Sequence, residues 1–436
     1  MKILYKAKIL INYLITKYEL WRFKSCNLEK FQQRKIKKHL KYVKRKSKYY
    51  NKIIKSKNPE LSDLPIVNKK IMMDNFEEFC TVKIKKDEAF AIAIDSERSR
   101  MFSKEYEKYT VALSSGTSGN RGLIVVNEFD RSLWTGRILA KLLPGSLFCK
   151  ERIAFFLRAN NNVYESLNSK TIKFKYFDLM NSVEENIRTV EKFNPTIITA
   201  PPSMLLIIAE YIQKDKIKIA PKMIISVAEV LHDSDKQKLE KVFNQTIHQI
   251  YQATEGFLGH TCKCGTLHIN EDIVKIEKEY IDEKSGRFVP IITDFRRRTQ
   301  PILRYRLNDI LIEKKEKCQC GSKFMAIDKI EGREDDIFIF ASEKGEKLVF
   351  PDFISRAVIF SDEEIIDYYV CQQEKNDMKI YLEVREKEKL EKIKMEIEKN
   401  LFELKNRFSI SEMKISFIDK VILEKGKKKK RVERLF

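Results

Sequence analysis

Ser114-Ser115-Gly116-Thr117-Ser118-Gly119-Asn120-Arg121-Gly122 lies between two short apolar runs, Tyr109 to Leu113 and Leu123 to Val126. The chain has 436 residues and only 13 glycines, none before Gly116, so three within nine positions mark a backbone that must turn tightly or approach a ligand. Amides freed by glycine can point at an anion, the hydroxyls can donate to its oxygens, and Arg121 can clamp phosphate. No Gly-Lys-Ser/Thr closes the stretch, so it is not a Walker P-loop. A Ser/Gly hairpin that binds nothing is the plainer alternative.

Working outward, short apolar runs alternate with helical segments. Tyr109 to Leu113, Leu123 to Val126, Ile153 to Leu157, Thr196 to Thr199, Met223 to Val227 and Thr246 to Tyr251 read as strands. Asp130 to Leu143, Val183 to Phe193, Ser203 to Lys214 and Asp233 to Phe243 read as helices. The alternation predicts an α/β domain with layered, mostly parallel sheets. After Gly332 the order becomes strand, helix, two strands, a long charged helix (Glu386 to Leu404), a strand (Met413 to Ile418) and a basic tail, which predicts a small, separate α+β domain. The expected organisation is a basic helical arm (1–57) packed on a large domain (58–334), then a mobile C-terminal domain (335–436).

The formal charge of +22 is concentrated at the two ends. Residues 1–57 carry 19 Lys/Arg against Glu19 and Glu29, and residues 421–436 carry 7 against Glu424 and Glu433, leaving the middle balanced. With 43% apolar residues the chain is not globally disordered. No apolar run reaches the roughly 18 residues of a spanning helix, and Ile9 to Ile15 has no small-residue cleavage site after it, so a cytoplasmic protein is expected. Eight cysteines, four single and four in two close pairs, suit reduced thiols and metal binding better than a disulfide framework.

Four further clusters could carry chemistry. Tyr251-Gln252-Ala253-Thr254-Glu255-Gly256 ends a predicted strand, where α/β ligands usually bind, and Glu255 could hold Mg²⁺; the alternative is a helix N-cap at Thr254. Arg304-Tyr305-Arg306-Leu307-Asn308-Asp309 and Gly332-Arg333-Glu334-Asp335-Asp336 would each pass alone as a salt-bridged turn. Gly426 to Arg431 would pass as a solvated charge run. Separately, Cys262-Lys263-Cys264-Gly265-Thr266-Leu267-His268 and Cys318-Gln319-Cys320-Gly321 offer four thiols and an imidazole, which suit a tetrahedral zinc. Four ligands are needed, and Cys264, His268, Cys318 and Cys320 are the expected set, with Cys262 the fifth candidate. His248, in a predicted strand, is expected to be a hydrogen-bonded core residue.

In order and separation the five clusters resemble the adenylate-forming (acyl-activating) superfamily. The resemblance is to its phenylacetate-CoA ligase-like branch, with the enzymes related to capsule-biosynthesis and deazaflavin (coenzyme F) adenylating synthetases. It extends to Trp21-Arg22-Phe23-Lys24-Ser25, Leu64-Pro65-Ile66, Phe155 to Asn162 and Ala200-Pro201-Pro202-Ser203. It implies that Ser114, Ser115, Gly116, Thr117, Ser118, Gly119 and Arg121 wrap the ATP triphosphate, and that Ala228, Glu229 and Tyr251 line the adenine. It also implies that Thr254 touches the α-phosphate, Glu255 ligates Mg²⁺, Asp309 accepts the ribose hydroxyls and Arg333 reaches ribose and phosphate. Asp335 would be the hinge, and Lys427, with Lys428 as its rival, the catalytic lysine; relatives with these cysteine pairs carry a structural zinc.

The activity implied is ATP-dependent conversion of a carboxylic acid to an acyl-adenylate with release of pyrophosphate, then transfer to the thiol of coenzyme A or an acyl carrier protein. Capsule or secondary-metabolite biosynthesis is the expected setting. The three asparagines of Arg158 to Tyr164 suggest a polar or aromatic acid. Thioester-forming relatives carry an Arg-Gly loop after the hinge, whereas this chain has Phe340-Ala341-Ser342-Glu343-Lys344-Gly345, so release of an adenylylated product stays open. A nucleic-acid-binding zinc protein is the reading from another class, disfavoured by an arm with few aromatics placed for stacking. Ile3 to Ile15, amphipathic with cationic flanks, leaves peripheral contact with anionic membrane open as well.

Overall fold

The computed structural model describes residues 2–23, 26–102, 104–114, 121–157, 168–343, 345–359, 361–420 and 430–436. It divides into two compact units, one formed by Met1–Leu307 with Ile312–Lys329, the other by Asn308–Leu311 with Ile330–Phe436.

In the first unit, strands β1 (Glu105–Tyr106), β2 (Tyr109–Leu113) and β3 (Leu123–Val126) form a three-stranded antiparallel sheet, with Leu113 opposite Leu123. Its buried face, including Val111, Leu123 and Val125, packs with Ala89 and Ala93 of the helix Lys86–Ser99. The large sheet begins with β4 (Glu151–Leu157), β5 (Ile172–Asp178), β6 (Ile197–Ala200), β7 (Met223–Ser226) and β8 (Ile247–Ala253). These five run parallel in the order β5-β4-β6-β7-β8. β6 is buried at every residue, as expected for a central parallel strand whose sequence is an unbroken apolar run. The intervening helices are well punctuated. Ser182 caps Val183–Phe193 through the Glu185 N–H, Asn194 ends it in the left-handed region (φ 45°), and Pro202 opens Pro202–Gln213. Their apolar faces, with Val190, Leu205, Ile208 and Leu239, fill the core beneath β6 and β7.

Beyond β8 the sheet becomes antiparallel. β9 (Gly256–Thr261), β10 (Leu267–Ile269), β11 (Val274–Asp282), β12 (Arg287–Asp294), β13 (Ile302–Arg306), β14 (Asp309–Glu313) and β15 (Ala326–Arg333) complete the order β11-β12-β14-β15-β10-β9-β8, with β13 on β12. Parallel character is thus confined to the segment that carries crossover helices.

The basic arm belongs to the first unit. Its helix Lys2–Arg22 lies so closely on the helix Glu128–Leu142 that a Cβ at Gly136 would stand 2.6 Å from Asn12 Cβ and 2.7 Å from the Ile9 carbonyl. A buried charge cluster lies at the same junction. Arg137 holds Glu19 (2.7 Å) and Asp272 (2.5 Å), Lys141 holds Asp272 (2.7 Å), and Arg296 holds Glu19 (2.7 Å). Lys141 and Asp272 are fully buried. Burial would raise the Asp272 pKa, but the cations Lys141 and Arg137 outweigh it and bring it down to about 2.

The second unit contains a hairpin of β16 (Phe338–Ser342) and β17 (Gly345–Val349). It also has a four-stranded sheet of β18 (Ile365–Glu374), β19 (Asp377–Val384), β20 (Lys414–Phe417) and β21 (Val432–Arg434), in the order β20-β19-β18-β21. The helices Pro351–Ile359 and Leu390–Arg407 cover it, closing a core of Ile354, Val358, Ile393, Ile397 and Leu401 against Val370 and Ile380. The sequence suggested one strand where β16 and β17 form a hairpin, and read β21 as basic tail.

Candidate active site

The two flanks of the Ser/Gly stretch meet. The Ser114 N–H donates to the Gly122 carbonyl (2.8 Å), and the Gly122 N–H donates to Ser114 Oγ (2.7 Å). Ser115, Gly116, Thr117, Ser118 and Gly119 lie outside the described residues. Arg121 is engaged at the base of this stretch. Its Nη2 pairs with both Glu97 oxygens (2.6 and 2.8 Å) and its Nε donates to the Ser114 carbonyl (3.0 Å), so it fixes the base of the hairpin to the helix Lys86–Ser99.

Thr254 and Glu255 form the turn between β8 and β9, so the helix N-cap alternative falls: a strand follows, not a helix. The turn is held from beneath by Arg297, which is 1% exposed and donates to the carbonyls of Thr254 (3.0 Å) and Glu255 (3.1 Å) and to Gln300 Oε1 (2.6 Å). The Thr254 hydroxyl donates to Glu255 Oε2 (2.7 Å), and the Tyr305 phenol is hydrogen-bonded to the same carboxylate. Burial, reinforced by the Glu255 charge, pushes the Tyr305 pKa upward, keeping it a proton donor. Asp294 accepts the N–H groups of Arg296 (2.8 Å) and Arg297 (3.0 Å) on Oδ1, while Oδ2 has no partner among the described residues. Burial dominates those hydrogen bonds and pushes Asp294 up to about 6.

The period of two along β13 explains how one cluster serves two purposes. Arg304 and Arg306 pair with Glu277 (2.9 Å) and Glu279 (2.6 Å), whereas Tyr305 between them turns to Glu255. The two arginines are salt-bridged, as the plainer reading held, but they stand in strand β13 rather than in a turn, and that reading misses the tyrosine.

One cleft brings the first two clusters together: Lys69, Gly122, Thr254, Glu255, Arg297 and Gln300 all line it. Lys69, Arg297 and Tyr305 were not singled out in the sequence. An arginine within Arg296-Arg297-Arg298 gives no sign that its middle member is buried, and Lys69 is one lysine among many. Its Cε would lie 3.6 Å from a Cβ at Gly122.

Ala228 stands at φ 71° after β7, a conformation costly for a residue with a Cβ, and Glu229 Oε2 accepts the Ser203 N–H (3.3 Å) at the start of Pro202–Gln213. Tyr251 is buried in β8 opposite Gly259.

The remaining expected residues fall in the second unit. Arg333 Nε stands 3.8 Å from Asp309 Oδ1, the Asn308 side chain donates to Asp335 (2.7 Å), and the Glu334 N–H donates to the Asn308 carbonyl (2.7 Å). Asp335 lies inside this unit, five residues past the division at Ile330. Lys427 and Lys428 lie outside the described residues; Lys430, two residues past Lys428, pairs with Asp336 (2.6 Å).

The cysteine constellation assembles with one change. Cys262, His268, Cys318 and Cys320 place one donor atom each within 4.8 Å of one another, and Cys262, not Cys264, is the fourth member. The Gly265 N–H donates to the Cys262 carbonyl (3.0 Å), and the turn, with Gly265 at φ 77°, leaves Cys264 exposed. His268 bonds the Phe324 carbonyl through Nδ1 (3.0 Å) and turns Nε2 to Cys320 Sγ (3.4 Å), the orientation of a metal-ligating imidazole fixed by its second nitrogen. These donors fit a tetrahedral zinc. His248 lies in β8 as expected and is hydrogen-bonded to the Thr261 backbone, while its Nδ1 is buried without a partner among the described residues.

No family model matches the chain. It is 26% identical over 454 aligned positions to protein CapK of Staphylococcus aureus, covering 98% of this chain and 94% of that protein. Among solved structures it is similar to 2-hydroxyisobutyryl-CoA ligase in the postadenylation state with R3-HIB-AMP, with a TM-score of 0.69 at 12% identity, covering 93% and 88% of the two chains. It is also similar to the GH3.15 acyl acid amido synthetase, with a TM-score of 0.54 at 12% identity, covering 92% and 88%. The chain has the fold of the adenylate-forming ligases, as the sequence resemblance implied.

Proposed function

We propose that this protein activates a carboxylic acid by adenylation. The acid's oxygen attacks the α-phosphorus of ATP, pyrophosphate leaves, and the acyl-adenylate then loses AMP to a thiol, either coenzyme A or a carrier-protein thiol. The observation that carries this reading is the approach of Gly122 to Thr254 and Glu255 around one small cavity, because two clusters far apart in sequence meet there over a buried arginine.

In this reading the stretch from Ser114 to Gly122 wraps the triphosphate and Lys69 adds a cation beside it. Thr254 faces the α-phosphate, and Glu255 supplies the carboxylate for a Mg²⁺, which needs few protein ligands besides phosphate oxygens. Tyr251, Ala228 and Glu229 border the adenine, while Asp309 and Arg333 serve the ribose and phosphates. Lys427, with Lys428 as its rival, supplies the cation for the attacking carboxylate. Cys262, His268, Cys318 and Cys320 hold a structural zinc, since four protein ligands leave no open position.

Carboxylate-dependent ATP/pyrophosphate exchange, screened over aryl, hydroxy and fatty acids, tests the reading. Exchange with at least one acid is expected, and Glu255→Gln should lower it on the order of a hundredfold without unfolding the protein. Undiminished exchange in that variant removes Glu255 from the site.

A further inference from the structure

We propose that the outer face of the helix Lys2–Arg22 is a docking surface for an anionic lipid bilayer, on which the helix lies flat. No helix among the described residues is long and apolar enough to cross a membrane, so the contact is peripheral.

The argument begins with the two faces of this helix. Ile9, Tyr13, Thr16 and Glu19 are buried, and the close approach at Gly136 fixes that side against Glu128–Leu142. The rotation of the helix is therefore set by packing. The opposite side carries Leu4, Leu10, Ile11, Leu14, Ile15, Tyr18 and Trp21, each between 42% and 65% exposed. At about 100° per residue these seven fall within one arc of about 140°, a continuous apolar stripe along the helix. An amphipathic helix needs one apolar face to pack; this one has two, and only one is covered. Phe148, 84% exposed, follows Leu147, whose backbone is hydrogen-bonded to the Tyr13 hydroxyl, and adds an aromatic ring beside the helix.

Charge identifies the occupant. Lys6 and Lys17 are exposed along one border of the stripe, and Arg22 is exposed at its C-terminal end. The only acid in the helix, Glu19, is turned inward to Arg137 and Arg296. The next helix, Leu28–Lys46, adds a further run of lysines and arginines with Glu29 as its one acid. An apolar stripe flanked by cations and ending in Tyr and Trp matches a surface of anionic headgroups over acyl chains, where the rings sit at the interface and the cations meet phosphate. A second copy of the chain is the competing occupant. It would bring two arms of net +17 face to face, which disfavours it.

The test uses the full chain and vesicles of phosphatidylcholine alone or mixed with phosphatidylglycerol. Co-sedimentation with the anionic vesicles is expected, together with a blue shift in the emission of Trp21 that Trp21→Phe abolishes, Trp134 being the other indole. Ile11→Gln with Leu14→Gln should weaken the partition at least about tenfold and leave the unfolding midpoint unchanged, because both side chains already face water. Lys6→Gln with Lys17→Gln should lessen the preference for anionic over neutral vesicles. Three results overturn the proposal: no binding to anionic vesicles, binding without the Trp21 shift, or a concentration-dependent dimer that Ile11→Gln with Leu14→Gln dissolves.

Discussion

Arg297 and Asp294 show how much of the site rests on side chains that never reach its surface. The guanidinium carries the two carbonyls of the Thr254-Glu255 turn, and Asp294 fixes the backbone that presents it. Asp294 has a folded pKa raised from 3.8 to about 6, so the native state holds its proton more tightly than the unfolded chain. By linkage this group favours folding most at low pH, and its contribution falls as pH rises from about 4 to 6, by about 3 kcal/mol. Asp294→Asn should flatten that part of the stability profile, measured by urea unfolding across the interval; an unchanged slope would show that Asp294 titrates normally. The cysteines permit an equally local test. Cys262→Ser should lower bound zinc from one ion per chain, whereas Cys264→Ser should retain it, as read by metal analysis of purified protein. The reverse pattern would restore the set expected from sequence. Two Cys-x-Cys-Gly loops look alike on paper, and only the turn at Gly265 decides which thiol faces inward.

Elements were more legible than contacts between them. β2 and β3 occupy the expected residues, and the helix Val183–Phe193 begins and ends where its Ser cap and Asn stop place it. β5 was not anticipated, because its lysines, Lys173 and Lys175, break the apolar run; its alternation of buried and exposed residues was the signal available. The antiparallel strands from β9 to β15 were equally hidden, since pairing partners there lie far apart in sequence. The site was legible where glycine, hydroxyl and carboxylate cluster within a few residues, and illegible where it depends on Lys69, Arg297 and Tyr305, which meet only after folding. The junction of the arm with the body is the sharpest case, since Glu19, Arg137, Asp272 and Arg296 reveal nothing until Gly136 lets two helices approach. Gly136→Ala should therefore cost about 1–3 kcal/mol in denaturant unfolding, despite a gain in helix propensity, and make the arm more sensitive to protease. Unaltered stability would mean that the helices separate freely.

For the molecule as a whole, the distribution of charge acquires a structural meaning. The balanced middle forms the layered sheets, while the basic arm is joined to that body through the buried ion pairs of Glu19 and exposes most of its described lysines. The basic C-terminal segment returns as β21 beside β18, with Lys430 held by Asp336. An adenylating body with a lipid-facing arm would place acid activation at a membrane surface, and the two claims can be separated because the lipid stripe and the cleft share no residue. The central claim is that the acid's own oxygen becomes bonded to the α-phosphorus. Its most direct measurement supplies the acid found by exchange with heavy oxygen in its carboxylate, adds a thiol acceptor, and weighs the AMP produced by mass spectrometry. The expected result is AMP carrying one heavy oxygen, since the bond that breaks in the second step lies between the acyl carbon and that oxygen. AMP without the label, or ADP with the label in inorganic phosphate, would contradict it.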